Sequence, residues 1–232
     1  MAAKYPTARI ADPTFGPGAP LPLSRRAAAC ELACLVLLIE TIMWVVPLVA
    51  NARPAYAGLV FVILVLLVTC CARDRLSARE LGLRFDNLPG VLRRLAPPLG
   101  AFVLLTVATG LAVGSLRFGP KFFSMLATVP LWALVQQYML LAFSNRRLRV
   151  IFGEGRSSIL ATAALFSLLH LPNPILTLAC AAGGYVWASE YERAPNLFAN
   201  ALTHTMASAF LANSLPRGLL KNMVVGYNYF LR

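Results

Sequence analysis

The chain has 232 residues, of which 59% are hydrophobic and 13% are charged, and this charged fraction is about half the share usual in a soluble domain. A soluble fold of this size could not bury so much apolar surface. Several stretches of about 18 residues or more lack Lys and Arg and are long enough to cross a hydrocarbon core of roughly 30 Å.

The chain has a formal net charge of +12. Its basic residues are placed between the apolar stretches, as they are in loops that face an anionic membrane leaflet. No zinc spacing, P-loop or RNA-binding motif accompanies this charge. The composition therefore excludes a nucleic-acid partner and predicts an all-α, polytopic transmembrane bundle whose partner is the lipid bilayer.

In chain order, residues 1–28 are rich in Pro and Gly and predict a disordered cytoplasmic tail. A transmembrane helical domain over 29–214 follows, and 215–232 form a C-terminal tail with a short interfacial helix or a partial eighth span. About seven spans are predicted, at 29–50, 55–72, 96–114, 123–144, 157–173, 174–190 and 197–214. With these spans, most of the 21 Lys and Arg residues fall on the same side of the membrane as the N-terminus. The positive-inside rule therefore places the N-terminus on the cytoplasmic side.

Four polar side chains interrupt four different predicted spans, and we expect them to meet. Lipid offers no hydrogen-bond partner, so a polar group at depth needs one inside the bundle. At a rise of about 1.5 Å per residue, these four lie roughly 15 to 21 Å from basic residues at the inner edge. They therefore reach similar depths and predict a shared polar cavity. The four residues are Glu40, Gln136, His170 and His204.

The last predicted span adds a polar stripe, because Asn196, Asn200, His204 and Ser208 recur every four residues. Residues four apart share a helix face. Interhelical hydrogen bonding alone is the preferred interpretation for Asn196 and Ser208. Other polar residues are interpreted structurally: Arg146 and Arg147 as anchors at lipid phosphates, and Glu190 and Glu192 as solvated loop residues.

The second half of the chain, about 125–214, carries three motifs in order: Gln136-Gln137 with Leu141 four residues later, Phe166-x-x-x-His170 before a Pro-Asn173-Pro turn, and His204-x-x-x-Ser208. In order, spacing and depth they resemble the family of CAAX proteases and bacteriocin-processing proteins (CPBP), whose pattern is Glu-Glu-x-x-x-Arg, Phe-x-x-x-His and His-x-x-x-Asn or Asp. The active members are intramembrane endopeptidases, in which a glutamate activates water and the histidines and Asn orient it or hold the oxyanion.

The resemblance implies catalytic positions at His170, His204, Gln136 and Gln137, with Glu40 as an additional candidate carboxylate. Substrate-binding positions are expected at Phe166, Asn173, Asn200 and Ser208. A glutamine amide cannot take a proton from water, although it can hydrogen-bond to a ligand carbonyl or to water. We therefore expect a catalytically degenerate member that binds a peptide, lipid or isoprenoid group, with a membrane-anchored or prenylated peptide as its implied partner.

Two alternatives remain open at this point. The first is an active protease whose general base is Glu40 or a histidine. The second is a metal-binding protein using His170, His204 and Glu40, or an assembly factor for another membrane protein; no resident metal or cofactor is expected. The family also implies a multi-pass protein of a bacterial inner membrane.

Overall fold

The computed structural model describes residues 23–231, and all the regular structure within this range is helical. The helices are α1 (Arg25–Glu40), α2 (Ala52–Asp74), α3 (Leu88–Ala112), α4 (Pro120–Gln137), α5 (Arg146–Phe152), α6 (Arg156–Leu168), α7 (Pro174–Arg193), α8 (Leu197–Ser214) and α9 (Arg217–Leu220). The predicted all-α fold is confirmed. The predicted disordered tail lies outside the described residues except for its last six, within which α1 begins.

Two of the long helices change their winding before they end. After Glu40, α1 continues through a π-helical turn at Thr41–Val45 and a 3₁₀ turn at Val46–Leu48. An eight-residue π-helical segment, Tyr138–Asn145, joins α4 to α5 without a break. Such segments are rare and occur often at functional sites. This one directly follows Gln136 and Gln137.

Within residues 23–231, four helical segments are long and apolar enough to cross a membrane: Arg25–Leu48, Ala52–Asp74, Leu88–Ala112 and Pro120–Phe152. The helix α6 is apolar but shorter, and it ends at Leu168 rather than at the expected residue 173. The two remaining long helices, α7 and α8, contain 20 and 18 residues and carry polar side chains inside the bundle, which lowers their mean hydropathy. The span count of seven and the inside position of the N-terminus stay predictions.

Side-chain caps fix the starts of three helices. Ser24 accepts a hydrogen bond from the backbone N–H of Ala27 at the start of α1. Asn173 caps α7 in the same way, and Asn196 caps α8. A cap satisfies one of the free N–H groups of the first helical turn. The residue that begins the predicted polar stripe of α8 therefore has a structural role: Asn196 also donates through Nδ2 to the Arg84 carbonyl and to Asn87 Oδ1.

The second half of the chain forms the centre of the bundle. The helices α6 and α7 pack as an antiparallel pair, and α8 packs against both α3 and α4. Close approach of α6 and α7 depends on Gly184, where an added Cβ would lie 3.1 Å from the Ala163 Cα. Small residues commonly allow such approach between membrane helices. This packing surrounds the space where the candidate residues lie.

A charged cluster ties the first two helices to α5. Arg147 is only 2% exposed, and its guanidinium bonds to Glu31 of α1 at 2.9 Å and to Asp74 of α2 at 3.1 Å. The same group donates to the Phe143 carbonyl and lies 3.8 Å above the centre of the Phe143 ring. The expectation that Arg147 anchors the helix at lipid phosphates is therefore wrong, because its charge is paired inside the protein.

The two acidic residues at the end of α7 are also paired rather than solvated. Glu190 is 8% exposed and accepts from Arg94 of α3 at 2.6 Å. Glu192 accepts from Asn145 at 2.8 Å and from Ser158 at 2.7 Å. These contacts connect α7 to α3, to the π-helical segment before α5 and to α6, so the sequence interpretation of both residues as solvated is wrong.

After α8 the chain turns back over the bundle. Residues 217–229 include α9 and two 3₁₀ turns, Lys221–Met223 and Gly226–Tyr229. Lys221, Asn222 and Met223 all have left-handed backbone conformations, with φ of 47°, 53° and 61°. That conformation costs a non-glycine residue roughly 1–2 kcal/mol, so the surroundings must hold this turn in place.

Candidate functional site

A cavity of about 630 Å³ lies inside the bundle, within the range of about 300–1,000 Å³ typical of small-molecule sites. Seven helices, α1 to α4 and α6 to α8, contribute to its walls, which are mostly aliphatic and aromatic. The polar side chains that line it include Gln136, His170, Thr203, His204 and Ser208. The cavity therefore combines a large apolar surface with a small polar region.

Three of the four residues expected to converge line this cavity: Gln136, His170 and His204. They reach it from α4, from the turn after α6 and from the middle of α8. Glu40 is not among the described residues that line the cavity. It ends α1 and accepts a hydrogen bond from the Trp44 side chain. The structure thus separates Glu40 from the histidines.

Aromatic rings hold the two histidines together. The Phe166 ring meets His170 edge-on, with centroids 4.7 Å apart, and meets His204 edge-on at 5.9 Å. Trp187 stacks on His204 at 4.7 Å and also contacts Phe166 edge-on at 6.0 Å, and its indole N–H donates to Thr203 Oγ1 at 3.1 Å. These contacts restrict both imidazole rings, so their nitrogens have defined directions.

The backbone carbonyl of Phe166 determines the tautomer of His170. Its oxygen lies 2.6 Å from His170 Nδ1. Because a carbonyl oxygen can only accept, Nδ1 must carry the proton. In the neutral ring Nε2 is then a hydrogen-bond acceptor, and no described residue is bonded to it. His170 thus offers a lone pair to the cavity.

His204 has the opposite arrangement. Its Nδ1 lies 3.1 Å from Nε2 of Gln137, which is fully buried behind it. An amide nitrogen can only donate, so Nδ1 accepts and the ring proton is on Nε2. The reverse orientation of the Gln137 amide would leave both of its N–H groups buried without partners, whereas the present one leaves one N–H group and Oε1 unpaired. Unpaired buried oxygens are tolerated better than unpaired buried N–H groups. His204 therefore offers an Nε2–H donor.

The other predicted site residues divide into two groups. Phe166 and Ser208 line the cavity. Asn200 is fully buried and donates to the Asn196 carbonyl. Asn173 uses its amide for the cap of α7 and for two carbonyls of the C-terminal segment. Neither asparagine is among the described residues that line the cavity.

Sequence reasoning missed two residues of the polar wall, Trp187 and Thr203. No motif in the sequence marks either residue. A weak signal is present, because Thr203 directly precedes His204 on the same helix and Trp187 is the single tryptophan of α7.

Metal chemistry has little support in the geometry. Within residues 23–231 no three side chains of His, Cys, Asp or Glu are grouped closely enough to hold a metal ion. The metal alternative required Glu40 beside the two histidines, and Glu40 lies away from the cavity wall. A two-histidine pair lacks the third protein ligand that zinc sites use.

Some residues that line the cavity are also exposed on the side of the bundle, in α2 and α4. Tyr56 and Leu64 of α2 line it and are about half exposed, at 49% and 51%. Trp132 of α4 also lines it and is 54% exposed. The side of an apolar bundle faces lipid in a membrane. A ligand could therefore enter from the bilayer without crossing water.

The apolar helices and the polar region of their shared cavity define an integral membrane protein with an intramembrane site. Residues 119–210 match the model of one family, Rce1-like, described as Type II CAAX prenyl endopeptidase Rce1-like. The match runs from the start of α4 into α8 and contains Gln136, His170 and His204. It confirms the resemblance to the CPBP family over this part of the chain, which is CAAX-protease-like. Comparisons with the curated proteins and with the solved structures find no match.

Proposed function

We propose that the protein binds a membrane-anchored ligand, an apolar chain attached to a peptide, in the cavity between its helices, and that it does so without glutamate-dependent peptidase activity. The observation that carries this proposal is the complementary pair of imidazole nitrogens. His204 presents an N–H donor and His170 presents a lone pair, both at the polar region of a cavity that is otherwise apolar.

The chemistry of the ligand follows from these two nitrogens. A peptide group contains one carbonyl oxygen that accepts and one N–H that donates. His204 Nε2–H fits the oxygen, and His170 Nε2 fits the N–H. The aliphatic and aromatic walls fit a hydrocarbon chain, whose burial contributes about 0.8 kcal/mol per methylene. A prenylated or acylated peptide carries both features.

Loss of peptidase activity is supported by Gln136 and Gln137. They occupy the positions at which the resembling family has glutamates, and an amide has no basicity with which to activate water. Gln137 hydrogen-bonds to His204 and so retains a role in orientation. Gln136, which lines the cavity, is available to hydrogen-bond to a ligand.

A second function is favoured by one observation. The free lone pair on His170 Nε2 is what a general base requires, so His170 could activate water in the absence of a glutamate. The chain would then be an active protease with a relocated base. Glu40 is a weaker candidate for this role, because it lies outside the cavity wall.

One experiment separates the two functions. The purified full-length chain is incubated with a farnesylated CAAX-type peptide, and binding is measured by fluorescence anisotropy while cleavage is followed by mass spectrometry. We expect saturable binding without cleavage in the wild type and in His170→Ala, with weaker binding in the variant. Cleavage that disappears in His170→Ala would instead establish the protease, and absence of binding would overturn the proposed function.

A Gln136→Glu variant sharpens this result. It returns a carboxylate to the family's position, so cleavage by this variant alone would attribute the inactivity of the wild type to the missing base. Cleavage by neither protein would show that further groups, such as the Arg and Asn replaced by Leu141 and Ser208, are also required.

A further inference from the structure

The segment after α8 forms part of the cavity wall. We name residues 217–229 the C-terminal strap. Two of its side chains, Met223 and Val225, line the same cavity as the histidines. Its Leu220 belongs to an apolar cluster with Leu176 and Leu211, and Met223 and Val225 pack against that cluster. The resemblance to a protease family ends at residue 210, so the strap is a feature of this chain outside the matched region.

Three hydrogen bonds hold the strap on the turn between α6 and α7. Asn173 donates to the Leu220 carbonyl at 2.8 Å and to the Val224 carbonyl at 3.1 Å. The backbone N–H of Gly226 donates to the Leu171 carbonyl at 2.9 Å. Asn173 thus clamps the carbonyls on both sides of the left-handed turn at 221–223, which explains how that unfavourable conformation persists.

The strap also packs closely against the π-helical turn that continues α1. Gly226 has a φ of +61°, and an added Cβ would lie 2.4 Å from the Met43 carbonyl oxygen. Farther along, the rings of Trp44 and Phe230 lie 6.3 Å apart. Because the strap joins α1 to the α6–α7 turn, Met223 and Val225 occupy fixed positions between them.

We propose that Met223 and Val225 determine the size of the apolar group that the cavity accepts. This inference rests on the proposed function, since it concerns the hydrocarbon part of the same ligand. The reasoning is steric. A shorter side chain at a fixed wall position enlarges the space for hydrocarbon, and a longer one reduces it. The polar contacts made by His170 and His204 are unaffected by either change.

The test compares peptides that differ only in the prenyl group. Geranyl, farnesyl and geranylgeranyl thioethers of one CAAX-type peptide compete for the purified full-length chain against a fluorescent farnesylated probe. Met223→Ala should raise the affinity for the geranylgeranyl peptide relative to the farnesyl peptide by roughly fourfold or more, which is the gain expected from one additional buried methylene. Val225→Phe should move the preference towards geranyl. Val224→Ala is the matched control, because Val224 is the residue between them and its side chain does not line the cavity.

The outcomes are distinguishable. If the wild type binds none of the three peptides, the proposed function and this inference both fail. If it binds them but neither variant shifts the ratios of the three affinities relative to Val224→Ala, the proposed function stands and this inference is wrong. The two variants are expected to act in opposite directions, so the one that remains folded by thermal unfolding decides the result if the other does not.

Discussion

Two buried polar regions of this protein differ in how their hydrogen bonds are satisfied. In the charged cluster, every nitrogen of the Arg147 guanidinium has a partner: Glu31, Asp74 or the Phe143 carbonyl. At the cavity, His170 and His204 each use one ring nitrogen within the protein and leave the other unpaired.

This difference in hydrogen bonding distinguishes a group that stabilises the fold from a group that can bind a ligand. A buried group whose bonds are all made inside the protein stabilises one arrangement of helices and has nothing left to offer a ligand. A buried group that keeps a directed, unpaired nitrogen in a cavity costs stability unless something binds there. Arg147 therefore has a structural role, and the two histidines are the groups that we propose bind the ligand.

The largest effect is expected from breaking the charged cluster. Arg147→Ala removes one of the two arginines that pair with Glu31 and Asp74, and Arg73 remains bonded to both carboxylates. The loss of stability should therefore lie near the lower end of the about 3–5 kcal/mol that breaking a buried pair typically costs. Thermal unfolding of the purified protein should show a large loss of stability, with no change in the preference among prenyl groups. Arg146→Ala is the matched control, because Arg146 is 43% exposed and lies 3.8 Å from Asp74; it should change stability by less than about 1 kcal/mol. Equal effects of the two changes would refute the structural role.

The next effect concerns the donor in the cavity. His204→Phe keeps a ring against Trp187 and removes the nitrogens, which leaves the ligand carbonyl without a donor. A buried acceptor without its donor costs about 1–3 kcal/mol, so affinity for the farnesylated peptide should fall roughly fivefold to a hundredfold. Leu202→Ala, on the exposed side of α8, should leave affinity unchanged. An unaltered affinity in His204→Phe would remove His204 from the site.

A smaller effect is expected from Gln137→Leu. This change removes the partner of His204 Nδ1 and with it the reason for the Nε2–H tautomer, although the Nε2 atom itself remains. We expect a loss of about 0.5–1.5 kcal/mol in binding, or roughly twofold to tenfold in affinity. Titration with the farnesylated peptide measures this loss. A loss larger than that of His204→Phe would mean that Gln137 contacts the ligand directly.

The smallest effect is expected from Glu40→Gln. Glu40 bonds to Trp44 and lies outside the cavity wall, so affinity for the farnesylated peptide and any cleavage should both stay within about twofold of the wild type. A loss of turnover on this change alone would return Glu40 to the mechanism and support a protease with a relocated base.

The polar residues of the cavity could be predicted from the sequence, whereas the charged cluster and the strap could not, and the reasons are physical. The four-residue spacing along α8 and the depth of Gln136 and His170 can be read from helical geometry alone, because both depend on local periodicity. The charged cluster depends on Arg147 meeting Glu31, 116 residues away, and no local pattern encodes that pairing. The sequence did not predict that the strap forms part of the cavity wall. The position of the strap depends on hydrogen bonds from the Asn173 amide, which was expected to bind a ligand instead.

The most direct test uses the fact that the chain contains only two histidines. Nitrogen-15 NMR of the histidine-labelled protein, purified without a histidine tag, reports the tautomer of each ring, and His204→Phe assigns the signals. We predict that His170 carries its proton on Nδ1 and His204 on Nε2, and that the farnesylated peptide shifts both Nε2 signals. The same tautomer in both rings, or signals that the peptide leaves unchanged, would contradict the binding site described here.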